Sequence, residues 1–96
     1  MILNERDTDD GLLVAVCDDG LLGETFADGD VSLTVTEEFY GGDPAGPERV
    51  AESLARCTTA NLVGHEAVAL AIDHGFVDEE NVLDVDGTRH AQLLWL

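Results

Sequence analysis

Lysine is missing altogether from this 96-residue chain, and 4 arginines stand against 21 aspartates and glutamates, a formal charge of −17. So many carboxylates on a small compact body repel one another and oppose folding in dilute buffer. At molar salt the screening length falls to about 3 Å, and most of that repulsion disappears. Long apolar runs are missing too. No stretch approaches the roughly 20 apolar residues that span a bilayer, and the start, Met1-Ile2-Leu3-Asn4-Glu5-Arg6, lacks the apolar core of a signal peptide. Two cysteines, Cys17 and Cys57, are too few for a disulfide framework. Together with His65, His74 and His90 they form neither a C-x-x-C pair nor an H-E-x-x-H helix, since alanine stands at position 69. A glycine-rich phosphate loop and a nucleophile elbow are likewise absent. No metal, cofactor or membrane partner is expected.

What remains is acidic but not disordered. Hydrophobic residues make up 45% of the chain and cluster in runs such as Leu12 to Cys17, Val31 to Val35 and Leu93 to Leu96, with the acids falling between them. A disordered chain has too little apolar material to offset its ordering entropy; this one describes a single folded domain, residues 1–96, with a charged shell. Arginine retained while lysine is absent fits concentrated salt, because guanidinium is less strongly hydrated than ammonium. The expected setting is a salt-loaded cytoplasm like that of the extreme halophilic archaea. A negative balance ordinarily argues against nucleic-acid partners, but acidity set by habitat says little about partner.

Residues 1–6 and Leu12 to Cys17 read as two strands of a hairpin around Asp7-Thr8-Asp9-Asp10-Gly11. Leu21, Leu22 and Phe26 suggest a short helical turn, and the alternation Val31, Leu33, Val35 a third strand. Gly41 to Pro47 is the clearest loop, and Pro47 suits a first helical position. Val50, Leu54 and Cys57 recur at helical spacing. A second helix, capped by Thr58 or Thr59, is expected through Leu62, Val63, Ala67, Leu70 and Ala71 to a stop at Gly75. Asp86-Gly87 between apolar runs signals a last hairpin ending at Leu96. The order β-β-β-α-α-β-β predicts an α+β, two-layer sandwich: a mostly antiparallel sheet of about five strands with two helices on one face.

Four constellations could carry function. Tyr40 with Gly41 and Gly42 offers a ring for stacking beside backbone that a ligand can approach; the plain alternative is a strand ending on aromatic anchors. Asn61, one residue inside the expected helix, would serve a ligand or tie down a turn. His90 and Gln92 share one face of the last strand, within reach of Asn61 or Asn81, and follow Arg89. Arg49 and Arg56 lie seven residues apart on one helical face, placed to grip phosphates or to pair with Glu52. Cys57, on an apolar helix face, reads as an inert buried thiol.

Glu38-Phe39-Tyr40-Gly41-Gly42, Thr59-Ala60-Asn61-Leu62-Val63-Gly64, Asn81-Val82-Leu83, and Gly87 with His90-Ala91-Gln92 resemble, in order and over nearly the whole chain, the archaeal domain of unknown function 424. The resemblance implies a compact two-layer α/β sandwich and directs attention to Tyr40, Asn61, His90 and Gln92. It brings no catalytic residues. Its archaeal distribution implies a role near translation or RNA handling.

Two function classes stay open. One is a non-catalytic accessory module of the translation or RNA machinery, with Tyr40 stacking, Arg49, Arg56 and Arg89 meeting phosphate, and Asn61, His90 and Gln92 hydrogen-bonding. The other is a small enzyme using His90 as acid or base, with Asn61 and Gln92 orienting substrate. A homodimer along the strand ending in Trp95 and Leu96 is a further, structural reading, so monomer and dimer both stay open.

Overall fold

The computed structural model describes residues 1–95. Strands β1 (Ile2–Thr8) and β2 (Gly11–Cys17) form the expected hairpin, in register from Ile2 opposite Cys17 to Thr8 opposite Gly11. Strands β3 (Thr25–Asp28) and β4 (Val31–Thr34) make a separate two-stranded hairpin. There follow α1 (Glu37–Tyr40), β5 (Asp43–Pro44), α2 (Pro47–Arg56), β6 (Thr59–Val63) and α3 (His65–Asp73). A 3-10 turn (Glu79–Asn81) leads into β7 (Leu83–Val85) and β8 (Thr88–Leu94). The main sheet has the order β5-β1-β2-β6-β8-β7, antiparallel except for the β2–β6 pair.

Among the described residues the chain is thus mixed α+β with a large, mostly antiparallel sheet, but the sheet has six strands rather than about five, and there are three helices rather than two. The largest correction concerns residues 59–63. Thr59-Ala60-Asn61-Leu62-Val63 is a central strand, and neither Thr58 nor Thr59 caps a helix. Gly64, at φ 115°, makes the break that lets α3 begin at His65. Its open N-terminus is capped from outside: the Asp18 carboxylate accepts from the backbone N–H of Glu66 (2.9 Å) and Ala67 (2.8 Å). Phe26, expected on a helical turn, lies in β3, and Val31 to Thr34 pairs with β3 instead of joining the main sheet. The last strand ends at Leu94, and Leu96 lies outside the described residues.

Alternation along the strands sorts their side chains to two sides. Leu3, Val14, Val16, Ala60, Leu62, Ala91 and Leu93 pack with Val50 and Leu54 of α2 and Ala67, Val68 and Ala71 of α3 into the larger core. The opposite side holds a smaller cluster of Ala15, Cys17 and Val63 under Val35 and Tyr40, with Leu21, Phe26, Leu33 and Phe39 around it. Every Asp and Glu is exposed except Asp18, which is half-buried by its capping role. The acids are a shell, and the interior is ordinary apolar material.

Candidate binding face

On the side away from α2 and α3, the registers line up three rows across the sheet. Ile2, Cys17, Val63, His90 and Leu83 form the first. Asn4, Ala15, Asn61 and Gln92 form the second, and Arg6, Leu13, Thr59 and Leu94 the third. The small cluster roofs much of the first row. The second and third rows are only partly covered: Ala15 is buried, Asn4, Asn61, Arg6, Leu13 and Thr59 are half-buried, Gln92 is exposed and Leu94 keeps 61% of its surface.

Polar side chains on these rows hold one another. Gln92 Nε2 donates to Asn61 Oδ1 at 2.9 Å across the β6–β8 pair. Asn4 Nδ2 donates to the Gly41 carbonyl, and Arg6 to the Glu38 carbonyl, so both tie the row to α1. The Arg6 guanidinium also lies 5.2 Å from the centroid of the Phe39 ring. At the other border an open groove of about 550 Å³ is lined by Asn81, Leu83, His90, Ala91 and Gln92. His90 is half-buried, and burial lowers its pKa from the ordinary 6.5, so its imidazole is neutral at pH 7.

Charge is distributed with the same parity. The sheet's acids, Glu5, Asp7, Asp43 and Asp84, stand opposite or beside Val14, Leu12, Leu3 and Arg89, all on the helix side. The strands therefore place no carboxylate on the half-open face, in a chain with 21 of them.

The structure brings Asn61, His90, Gln92 and Asn81 together and separates the other candidates from them. Tyr40 is only 4% exposed, and its phenol is pushed up to about 12, first by burial and then by nearby Cys17. It is a core residue and offers no ring for stacking. Gly41 and Gly42 serve close packing: a Cβ on Gly42 would meet the Leu3 carbonyl, and one on Gly41 the Glu37 carbonyl. Arg49 and Arg56 lie on the helix side, where both grip Glu5, at 2.6 Å and 2.8 Å, and Ser53 adds a third bond of 2.7 Å. That network lowers the Glu5 pKa, with the Ser53 and Arg49 hydrogen bonds the largest causes. Arg89 is also turned to the helix side, pairing with Asp84 at 3.2 Å and Glu79 at 3.5 Å. Cys57 is buried, donates to the Leu54 carbonyl, and has its pKa raised by burial.

Asn4, Arg6, Leu13 and Leu94 were not singled out by sequence, and Thr59 only as a helix cap and a motif residue. Their signal was faint: Asn4 and Arg6 sit two apart in β1, on the parity of Ile2. Among the described residues no group of three or more His, Cys, Asp or Glu is arranged to hold a metal, and no helix is long and apolar enough to cross a membrane.

A mixed α+β scaffold with one helix-covered sheet side and one half-open side, on which the main strands place amides, apolar groups and Arg6 but no carboxylate, defines a small acidic-shelled fold. Residues 5–96 match the family model described as "Protein of unknown function (DUF424)", and the chain belongs to that family. It is similar to the crystal structure of an uncharacterized conserved protein from Methanopyrus kandleri, with 25% sequence identity and a TM-score of 0.79, over 99% of this chain and 93% of that one. No curated protein matches it.

Proposed function

We propose that this protein is a non-catalytic binding module serving the archaeal translation or RNA machinery, and that it engages its partner through the half-open sheet face. The observation that carries this is the missing charge. A carboxylate on a solvated surface costs little, and this chain spreads them over its turns, its helices and the helix side of the sheet; one that a partner must desolvate costs several kcal/mol. Interface centres are depleted in acids for that reason. A face of amides, Leu13, Thr59 and Leu94 inside an acidic coat suits contact with another protein.

Direct gripping of an RNA backbone is the weaker form of the proposal. Phosphate contact needs free cations and stacking needs exposed rings. Arg49, Arg56 and Arg89 are paired with acids on the far side, Tyr40 is buried, and only Arg6 stands on this face. A second reading draws on the groove, where a neutral His90 beside Gln92 and Asn81 has the makings of a general base. It lacks a second titratable group or nucleophile among the lining residues. Affinity purification at molar KCl, with and without ribonuclease, tests the proposal. A protein partner that survives the nuclease supports it. Loss of all association on nuclease treatment would replace it with direct RNA binding.

A further inference from the structure

We infer that the outer edge of β8, beyond the end of β7, is a strand-addition site for a short extended segment of a partner protein that carries basic residues. The inference rests on the binding-module reading and names how the partner is held. The geometry follows from parity. Gly64 donates to the Arg89 carbonyl and Trp95 to the Thr58 carbonyl, so the odd residues of β8 turn their backbone groups toward β6. Thr88, His90, Gln92 and Leu94 turn theirs the other way. β7 faces Thr88 to His90 but stops at Leu83, because the chain before it departs through the 3-10 turn Glu79–Asn81. Among the described residues no strand lies opposite Gln92 and Leu94 on that side. Their N–H and C=O groups form an unused ladder, and the 550 Å³ groove of Asn81, Leu83, His90 and Gln92 runs beside it.

Folded proteins blunt such edges with charge, proline or a covering element. The outer strand β1 does so: it carries Glu5, Arg6 and Asp7, and β5 pairs with its start. Beyond β7 the β8 edge carries no charged side chain or proline of its own. Residues 91–95 read Ala-Gln-Leu-Leu-Trp, and exposed Leu83 (48%) and Leu94 (61%) flank the gap. Charge narrows the occupant. The turn that leads into Asn81 exposes Asp78 and Glu80, while Glu79 and Asp84 are paired with Arg89, so an incoming segment with alternating apolar residues and a Lys or Arg at its end complements both the ladder and the turn beside it.

The test uses an array of synthetic seven-residue peptides alternating apolar and Lys or Arg residues, probed with the full chain at molar KCl. Binding is expected. It should fall at least tenfold in Leu94→Pro, which removes an outward N–H without touching the β6 ladder. Amide exchange at Gln92 and Leu94 should be fast in the free protein and slow with bound peptide, while Ala91 and Leu93 stay protected throughout. Should the proline variant not fold, N-methylation of alternate peptide residues gives the same readout on the native protein, and one of the two methylation phases must abolish binding. No binding anywhere in the array, binding indifferent to both changes, or protection of Gln92 and Leu94 by concentration alone would overturn the inference. A natural partner lost on Asn61→Asp but retained on Leu94→Pro would leave the face reading standing and remove this one.

Discussion

His90 and Glu5 show how single side chains here tie structure to pH. The folded-state pKa of His90 lies below its unfolded value because burial disfavours the imidazolium. Well above pH 6.5 both states are neutral and the residue contributes no pH dependence. As pH falls through 6.5 toward the folded pKa, the unfolded chain takes up a proton that the native one resists, and stability drops. His90→Gln should flatten that limb; urea melts at a series of pH values, with wild type and variant losing stability in parallel, would contradict it. Glu5 has the opposite charge and a depressed pKa, from Ser53 and Arg49, so its contribution is present above 4.5 and lost as pH falls through its folded value. Ser53→Ala removes the largest cause of that shift. It should therefore weaken the acid-side limb and leave the limb near neutrality unchanged. For single side chains the sequence was a poor guide to where they face. Asn61 looked awkward inside a helix because it is not in one, and its bond to Gln92 depends on a strand register that no local pattern encodes.

Among the elements, the two hairpins with polar or Asp-Gly turns were legible because alternation and turn chemistry agree there. Asp86 and Gly87 both adopt positive φ, as a two-residue turn of this kind requires. β6 was not legible. Leu62, Val63, Ala67, Leu70 and Ala71 satisfy a helical spacing across the strand–helix junction, and only Gly64 marks the break. α1 and β5 are too short to leave any period. The junction depends on Asp18, which reaches from the end of β2 to cap α3. Asp18→Ala should cost about 0.5–2 kcal/mol in thermal or denaturant unfolding, the usual range for a lost N-cap. A stability equal to wild type would mean that water replaces the carboxylate without loss. Truncating Leu54→Ala, fully buried between α2 and the sheet, should cost about 2–5 kcal/mol by comparison.

For the whole molecule, a shell of exposed acids surrounds two apolar clusters, and the charge of −17 acts mainly through self-repulsion. Folding should accordingly strengthen as KCl rises from dilute to molar, and a far-ultraviolet dichroism spectrum and melting temperature independent of salt would contradict that. The coat itself was legible from composition alone. The gap in it was not, because parity and register decide which side of a strand each carboxylate takes. That gap is the centre of the functional account, and the most direct test is to fill it. Asn61→Asp with Gln92→Glu places two carboxylates on the open face, and Ala69→Glu places one on the exposed side of α3. In quantitative co-purification at molar KCl, the double variant should lose the partner while remaining folded, and Ala69→Glu should retain it. Equal recovery of the partner by both variants would show that the carboxylate-free face is not where this protein binds.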